Sequence, residues 1–474
     1  MSENKQSEAK KELSIGYSAI AMIAIVGTLI CGMLIFKWSE VAVLVLTLVV
    51  AAIFGLIGKF TWDELMEGMT KGIAKAMPCL FFFFIIGMAI AAWIQCGTIP
   101  AMIYYGLNIL SPGFFLPATL ILCSVVAMCT GSSWTTAGTI GMVLLGIGTA
   151  MGMPEPLVAG CVLSGSYFGD KMSPMSDTTN LAPAIAGTDV FSHVAAMAYT
   201  AIPTWLVCFV IYTVMGLKYA DMTLDVEGIH AIQDAITGSF NVNPLVILPL
   251  VVTVVLIVCK VPAIPTLIVG IFMAAPITMI MQGGTFGGFL DVIDNGTFYE
   301  TGLASVDELL NRGGIQGMMW TFSLGFTALA LGGVITTCGF LKVLLAPVVA
   351  KLPSRKLLPA MTIVTGVAGC ACLGEQYMSI VLTAELYKDI YPANGLERRM
   401  LSRNVEESST VTANLFPWTT GGAFMYGALG VHPFTYAPYA ICNWLTPLLG
   451  AIIPLTGWSL LTVEKAQAKG KEPR

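Results

Sequence analysis

Long apolar stretches alternate with short charged ones along the whole chain. Charge-free runs cover 13–36, 41–58, 76–154, 190–217, 235–259, 261–290, 313–341, 357–374 and 408–463. One membrane crossing takes about 20 apolar residues as an α-helix. The two longest runs must therefore fold back on themselves several times. The pattern predicts roughly 10–13 helical segments, some of them short of a full crossing. The segment 98–112 reads either as a crossing or as a surface stretch. Transmembrane β-barrels alternate over segments of about 10 residues, and that signature is absent from this sequence.

Composition agrees. Hydrophobic residues make up 56% of the 474 and charged residues only 11%, with a mean hydropathy of +0.82. Soluble domains carry about 25% charged residues, so lipid must solvate most of this chain. The expected fold class is an all-α polytopic membrane protein. Its net charge of −5 sits in short loops and tails and says little about partners. No basic stripe with interleaved aromatics points to nucleic acid. The first apolar run ends in CGMLIFKW without a small-residue cleavage site, which reads as an uncleaved first span. Twelve cysteines lie mostly inside apolar runs as small buried filler. His193, His230 and His432 form no ligand spacing. No cofactor is expected, and no nucleotide loop or nucleophile motif suggests an enzyme.

The chain also repeats itself. Gly72-Ile73 recurs as Gly314-Ile315, Cys96-Gly97 as Cys338-Gly339 and Leu116-Pro117-Ala118 as Leu358-Pro359-Ala360, each at an offset of 242. Gly131-Ser132-Ser133-Trp134 aligns with Gly374-Glu375-Gln376-Tyr377 at 243. Thr178-Thr179-Asn180-Leu181-Ala182-Pro183 aligns with Thr412-Ala413-Asn414-Leu415-Phe416-Pro417 at 234. This divides the chain into a polar tail (1–12), a first repeat (13–217), a linker (218–242), a second repeat (243–463) and a second tail (464–474). Duplicated membrane halves are typical of secondary transporters, which bind their cargo at the repeat interface. Loop 59–75 carries Lys59, Lys71 and Lys75, whereas 291–312 carries Asp291, Asp294, Glu300, Asp307, Glu308 and only Arg312. Cytoplasmic loops are rich in Lys and Arg, so the two loops are expected on opposite sides, making the repeats inverted.

Four polar islands interrupt the apolar runs at equivalent places in the halves. Thr130–Thr136 and Gly374–Tyr377 read as tips of re-entrant hairpins, with Ser132, Ser133, Thr135 and Glu375 as candidate ion or substrate ligands. Residues 165–183 hold Asp170, Ser173, Asp177, Thr178 and Asn180; residues 403–417 hold Glu407, Ser408, Thr410 and Asn414. Pro174, Pro183 and Pro417 remove backbone donors, so the carbonyls of Asp170, Thr179 and Ala413 are expected to be free for a hard cation such as Na⁺. Irregular backbone at membrane depth survives only inside protein or beside water, and an intramembrane carboxylate is functional by default. Lys171 beside Asp170 keeps that carboxylate ionised, as support for structure or Na⁺. Asp177 lacks an adjacent cation and Glu407 has Glu406 beside it, so these two are the expected residues exchanging a proton for Na⁺. Asp177, Asn180, Glu407 and Asn414 are the expected Na⁺ ligands.

The run from Gly165 through Pro183 resembles the signature of the NhaC-type sodium/proton antiporter family, as do Gly131–Thr136 and Asn404–Thr410. The resemblance covers nearly the whole chain. It implies a multi-pass antiporter of the bacterial inner membrane, with paired re-entrant hairpins, a dimeric scaffold and elevator-like motion. Its implied cargo is Na⁺ and H⁺. The family also implies an alternative, Na⁺- or H⁺-coupled exchange of a small organic anion of the malate/lactate type, or carriage of an amino acid.

Overall fold

A computed structural model describes residues 13–109, 111–219, 226–259, 261–350 and 354–468. The first half begins with α1 (Ile15–Ile30), which runs on through a π-turn, and α2 (Glu40–Ile57). Then come α3 (Trp62–Lys75), α4 (Met77–Gln95), α5 (Thr98–Ile109) and α6 (Pro112–Thr130). The short α7 (Ser133–Thr136) continues through a π-turn into α8 (Met142–Ala150). Helices α9 (Glu155–Met172), α10 (Asp177–Ala186) and α11 (Val190–Leu217) complete the half. Polar side chains set several starts. Thr61 and Glu64 form a reciprocal capping box ahead of α3, and Asp189 accepts from Ser192 N at 2.9 Å to open α11.

The linker helix α12 (Val226–Ser239) leads into α13 (Leu248–Val258) and α14 (Ala263–Met281). Short α15 (Phe286–Asn295), α16 (Ala304–Leu310) and α17 (Gly314–Gly317) precede α18 (Met319–Cys338) and α19 (Phe340–Ala350). Next are α20 (Leu358–Leu373), α21 (Gln376–Tyr387), α22 (Ile390–Ala393) and α23 (Arg398–Ser409). The chain finishes with α24 (Thr420–Leu429), α25 (Pro433–Tyr436), α26 (Ile441–Ile452) and α27 (Val463–Ala468). Among the described residues, six helices are long and apolar enough to cross a membrane, or up to eight if two bent pairs each count as one span. Helices 98–109 and 340–350 are too short for ordinary crossings.

Packing exchanges the two halves. Helix α2 lies on α18, and α14 lies on α4. Helix α1 meets α19, and α13 meets α5. Within each half α6 packs on α9 and α20 on α23; across them α11 meets α23 and α26 meets α9. Offsets of 242–243 pair α4 with α18, α5 with α19 and α6 with α20. The loop Gly296–Gly314 folds against the far end of α4, where a Cβ at Gly313 would lie 2.6 Å from Ala91 N. Loop 58–61 lies at the other end of the α3–α4 pair, which is bent by 44°. The stretch 59–75, expected as a loop, is instead mostly helix α3, which holds Lys71 and Lys75. Only Lys59 is left in the loop, because the Thr61–Glu64 capping box starts a helix there.

Candidate functional site

The hairpin tips share one backbone design. Helix α6 stops at Gly131, left-handed with φ 65°, and Ser132 is extended with φ −149°. Helix α20 stops at Gly374, left-handed with φ 69°, and Glu375 is extended with φ −155°. Glycine suits the left-handed position because a Cβ would crowd the following carbonyl. In each tip the next side chain caps the returning helix. Ser132 Oγ accepts from Thr135 N at 3.1 Å, and Glu375 Oε2 accepts from Met378 N at 3.0 Å. Thr135 Oγ1 donates to Ser132 Oγ as well. Glu375 is 1% exposed, and its Oε1 has no hydrogen-bond partner among the described residues.

Both proline-bearing segments break as expected, but the freed carbonyls find donors. Asp170 O accepts from Ser173 N at 3.1 Å and from Thr179 Oγ1 at 3.4 Å. Ala413 O accepts from Thr419 Oγ1. Nearby hydroxyls replace the donors that proline removes, as buried backbone groups require. These two carbonyls are therefore not left open for a cation. Helix α10 restarts at Asp177, with Ser176 as its cap.

The charges around this first break form one cluster. Ser133 Oγ on the tip donates to Asp170 Oδ2 at 2.7 Å. Lys171 Nζ lies 2.8 Å from Glu406 Oε1 but 3.6 Å from Asp170 Oδ2, and donates to Thr178 Oγ1 at 3.0 Å. Lys171 is 2% and Glu406 0% exposed. Lys171 thus ties the break in one half to α23 in the other, and its nearest carboxylate is not its sequence neighbour. Asp170 Oδ1 is buried with no hydrogen-bond partner among the described residues. Asp177 is exposed; its Oδ1 accepts from Thr178 N at 2.8 Å and its Oδ2 from the Tyr377 hydroxyl on the second tip. Both tips, Asp170, Asp177 and Thr178 line one cavity of about 70 Å³.

Glu407 lies elsewhere. Thr200 on α11 donates to its Oε1, and Arg403 Nε stands 4.0 Å from its Oε2. A Cβ at Gly450 would overlap that same oxygen. His193 Nδ1 on α11 and Ser402 Oγ on α23 meet at 2.6 Å. Glu407 and Arg403 are both 0% exposed.

The remaining expected ligands divide. Ser132, Ser133, Asp170, Asp177 and Thr178 line the cavity. Ser173 Oγ accepts from Met175 N, and Ser408 Oγ donates to Asn404 O, so both hold local backbone. Asn180 is exposed and donates to Pro174 O and Ser176 O at 2.9 and 2.6 Å, which makes it a turn residue. Asn414 is buried, and its Oδ1 accepts from Asn443 Nδ2 at 3.0 Å. Thr410 Oγ1 is buried without a partner among the described residues. Sequence reasoning did not count Gln376, Tyr377, Thr200 or Arg403 among the ligands, and it took Glu406 only as a like-charged neighbour of Glu407. The adjacent pair Glu406-Glu407 offered a signal: neighbours on a helix diverge in direction, so each needs a partner of its own.

Residues 165–458 match the sequence profile of the Na⁺/H⁺ antiporter family. The chain is 35% identical to the Na⁺/H⁺ antiporter NhaC of Alkalihalophilus pseudofirmus, over 94% of this chain and 97% of that one. It is 38% identical to the arginine/ornithine antiporter ArcD of Halobacterium salinarum, over 85% and 83%. It is 34% identical to a malate-2H⁺/Na⁺-lactate antiporter of Bacillus subtilis, over 86% and 87%.

Proposed function

The chain belongs to the Na⁺/H⁺ antiporter family, and on that footing we propose that it exchanges Na⁺ for H⁺ across a bacterial inner membrane. The observation that carries this reading is the cavity between the hairpin tips. It presents carboxylate and hydroxyl oxygens of Asp170, Asp177, Ser133 and Thr178. Oxygen donors suit a hard cation, as they do in other hard-cation sites. Its volume of about 70 Å³ holds a few waters or an ion, whereas small-molecule sites span about 300–1,000 Å³.

Asp177 is the proposed residue that holds either a proton or Na⁺. It is reachable from solvent, and its hydrogen bond from Tyr377 joins it to the opposite tip. Asp170 supports it, with one oxygen committed to Ser133. Glu407 is the second proposed proton-exchanging group, with one buried oxygen that a proton would satisfy. Inverted repeats are part of the proposal. They are supported by the exchanged packing of the halves. A homodimer with elevator-like motion rests on the family resemblance alone.

The second reading, coupled exchange of a small organic acid or amino acid, is favoured by the two relatives named for such cargo. Proteoliposomes with an internal pH dye separate the two. Na⁺ pulses alone should move protons. A response that appears only with malate, lactate or an amino acid overturns the Na⁺/H⁺ reading in favour of the second.

A further inference from the structure

A second, larger cavity lies elsewhere in the molecule and plays no part in the site above. It measures about 610 Å³ and is lined by Thr297, Asn311, Arg312, Tyr426 and Gly427, among others. Helix α4 passes both cavities: Pro78 and Phe82 line the carboxylate cavity, and Ile90 lines the larger one. It spans about 12 Å between them, eight residues at about 1.5 Å each. Along α24, Thr420 N donates to Gly374 O at the second tip, and Ala428, eight residues on, lines the larger cavity.

Aromatic rings fill that interval. Trp134 on the first tip stacks on Phe424 of α24, with ring centroids 4.2 Å apart and planes 18° apart. Phe83 of α4 lies against both, at 6.4 and 5.8 Å, and Phe82 against both at 6.4 Å. Phe83 and Phe424 are fully buried. The rings come from three elements: a hairpin tip, α4 and α24. Apolar constrictions exclude water and hydrated ions by dewetting.

We propose that Trp134, Phe82, Phe83 and Phe424 form a gate that closes the carboxylate cavity from the larger vestibule, so that the ion site opens to one side of the membrane at a time. This rests on the Na⁺/H⁺ reading for its purpose but not for its geometry. Antiport requires such single-sided access. A site open to both sides at once would let Na⁺ run downhill without returning a proton.

The test places one cysteine at Gln376, which lines the carboxylate cavity, in a full-length protein otherwise cleared of cysteine. A membrane-impermeant thiol reagent is applied from each side of oriented vesicles. Because labelling accumulates as the site alternates, initial rates are compared: the otherwise unmodified protein should label more slowly from the vestibule side than from the opposite side. Adding Phe424→Ala, or separately Phe83→Ala, should raise the vestibule-side rate, while Phe424→Trp should leave it low. Equal rates from both sides without the alanine changes overturn the gate. So does an unchanged vestibule-side rate in whichever alanine variants reach the membrane. Absence of Na⁺-driven proton movement in the unmodified protein would instead count against the ion reading and leave the labelling result intact.

Discussion

The two broken segments use related local designs to different ends. In the first half the chain breaks between Met172 and Asp177 beside a cavity, and an exposed carboxylate begins the next helix. In the second half the break follows Ser409, and Glu406, Glu407 and Asn414 are all 0% exposed. The first break is open and meets solvent. The second is closed, and its charges serve as partners: Glu406 for Lys171, and Glu407 beside Thr200 and Arg403. On the proposed reading the repeated halves supply two equivalent frames, and their side chains make the first the site and the second its support.

The largest test of this division is the buried ion pair. Removing one member leaves a bare charge in the interior, so Lys171→Met should cost about 3–5 kcal/mol, read as a lower denaturation midpoint in detergent. Replacing Lys171 and Glu406 together by Met should recover most of that. A double variant as unstable as the single one would mean that Lys171 is not paired chiefly with Glu406.

Next come the tip glycines. Both sit at left-handed φ, where alanine costs about 1–2 kcal/mol. At Gly131 a Cβ would also lie 2.7 Å from the Met175 carbonyl carbon, whereas at Gly374 its nearest neighbour is the Ala328 Cβ at 3.1 Å. Gly131→Ala should therefore destabilise more than Gly374→Ala in the same unfolding measurement. Equal effects would erase the distinction between a tip locked on its broken helix and a tip with room to yield.

Thr200→Val removes the hydroxyl that donates to Glu407. The expected loss is about 1–2 kcal/mol, together with a shifted pH profile of Na⁺-driven proton flux. The smallest effect is expected at Asn180, whose bonds stay within its own turn. Asn180→Ala should cost below about 1 kcal/mol and leave the Na⁺ half-saturation unchanged. A large rise in that concentration would return Asn180 to the ion site.

Much of this was legible in the sequence because the signals are local. Gly131-Ser132-Ser133 inside a 79-residue charge-free run marks a turn, and α6 ends there as expected, although α6 itself is long and apolar enough to cross a membrane. Proline and glycine mark the breaks through backbone chemistry that needs no neighbours. What was not legible is tertiary. Lys171 reaches Glu406 rather than its neighbour Asp170 because α9 and α23 converge in space, 235 positions apart in sequence. Freed carbonyls were read as vacant because Thr179 and Thr419 could not be seen turning back on them. Asn180 and Asn414 match in alignment but differ in burial, since repeat symmetry in sequence does not fix which face meets the solvent.

The central claim is that the cavity carboxylate Asp177 exchanges a proton for Na⁺, with Glu407 acting from its separate buried position. The direct measurement is isotopic Na⁺ exchange and proton flux in proteoliposomes across pH. Asp177→Asn should abolish Na⁺-driven proton movement at every pH, and Glu407→Gln should retain movement with a displaced pH profile. Wild-type coupling at every pH in both variants would contradict the account and turn attention to Asp170 and Glu375.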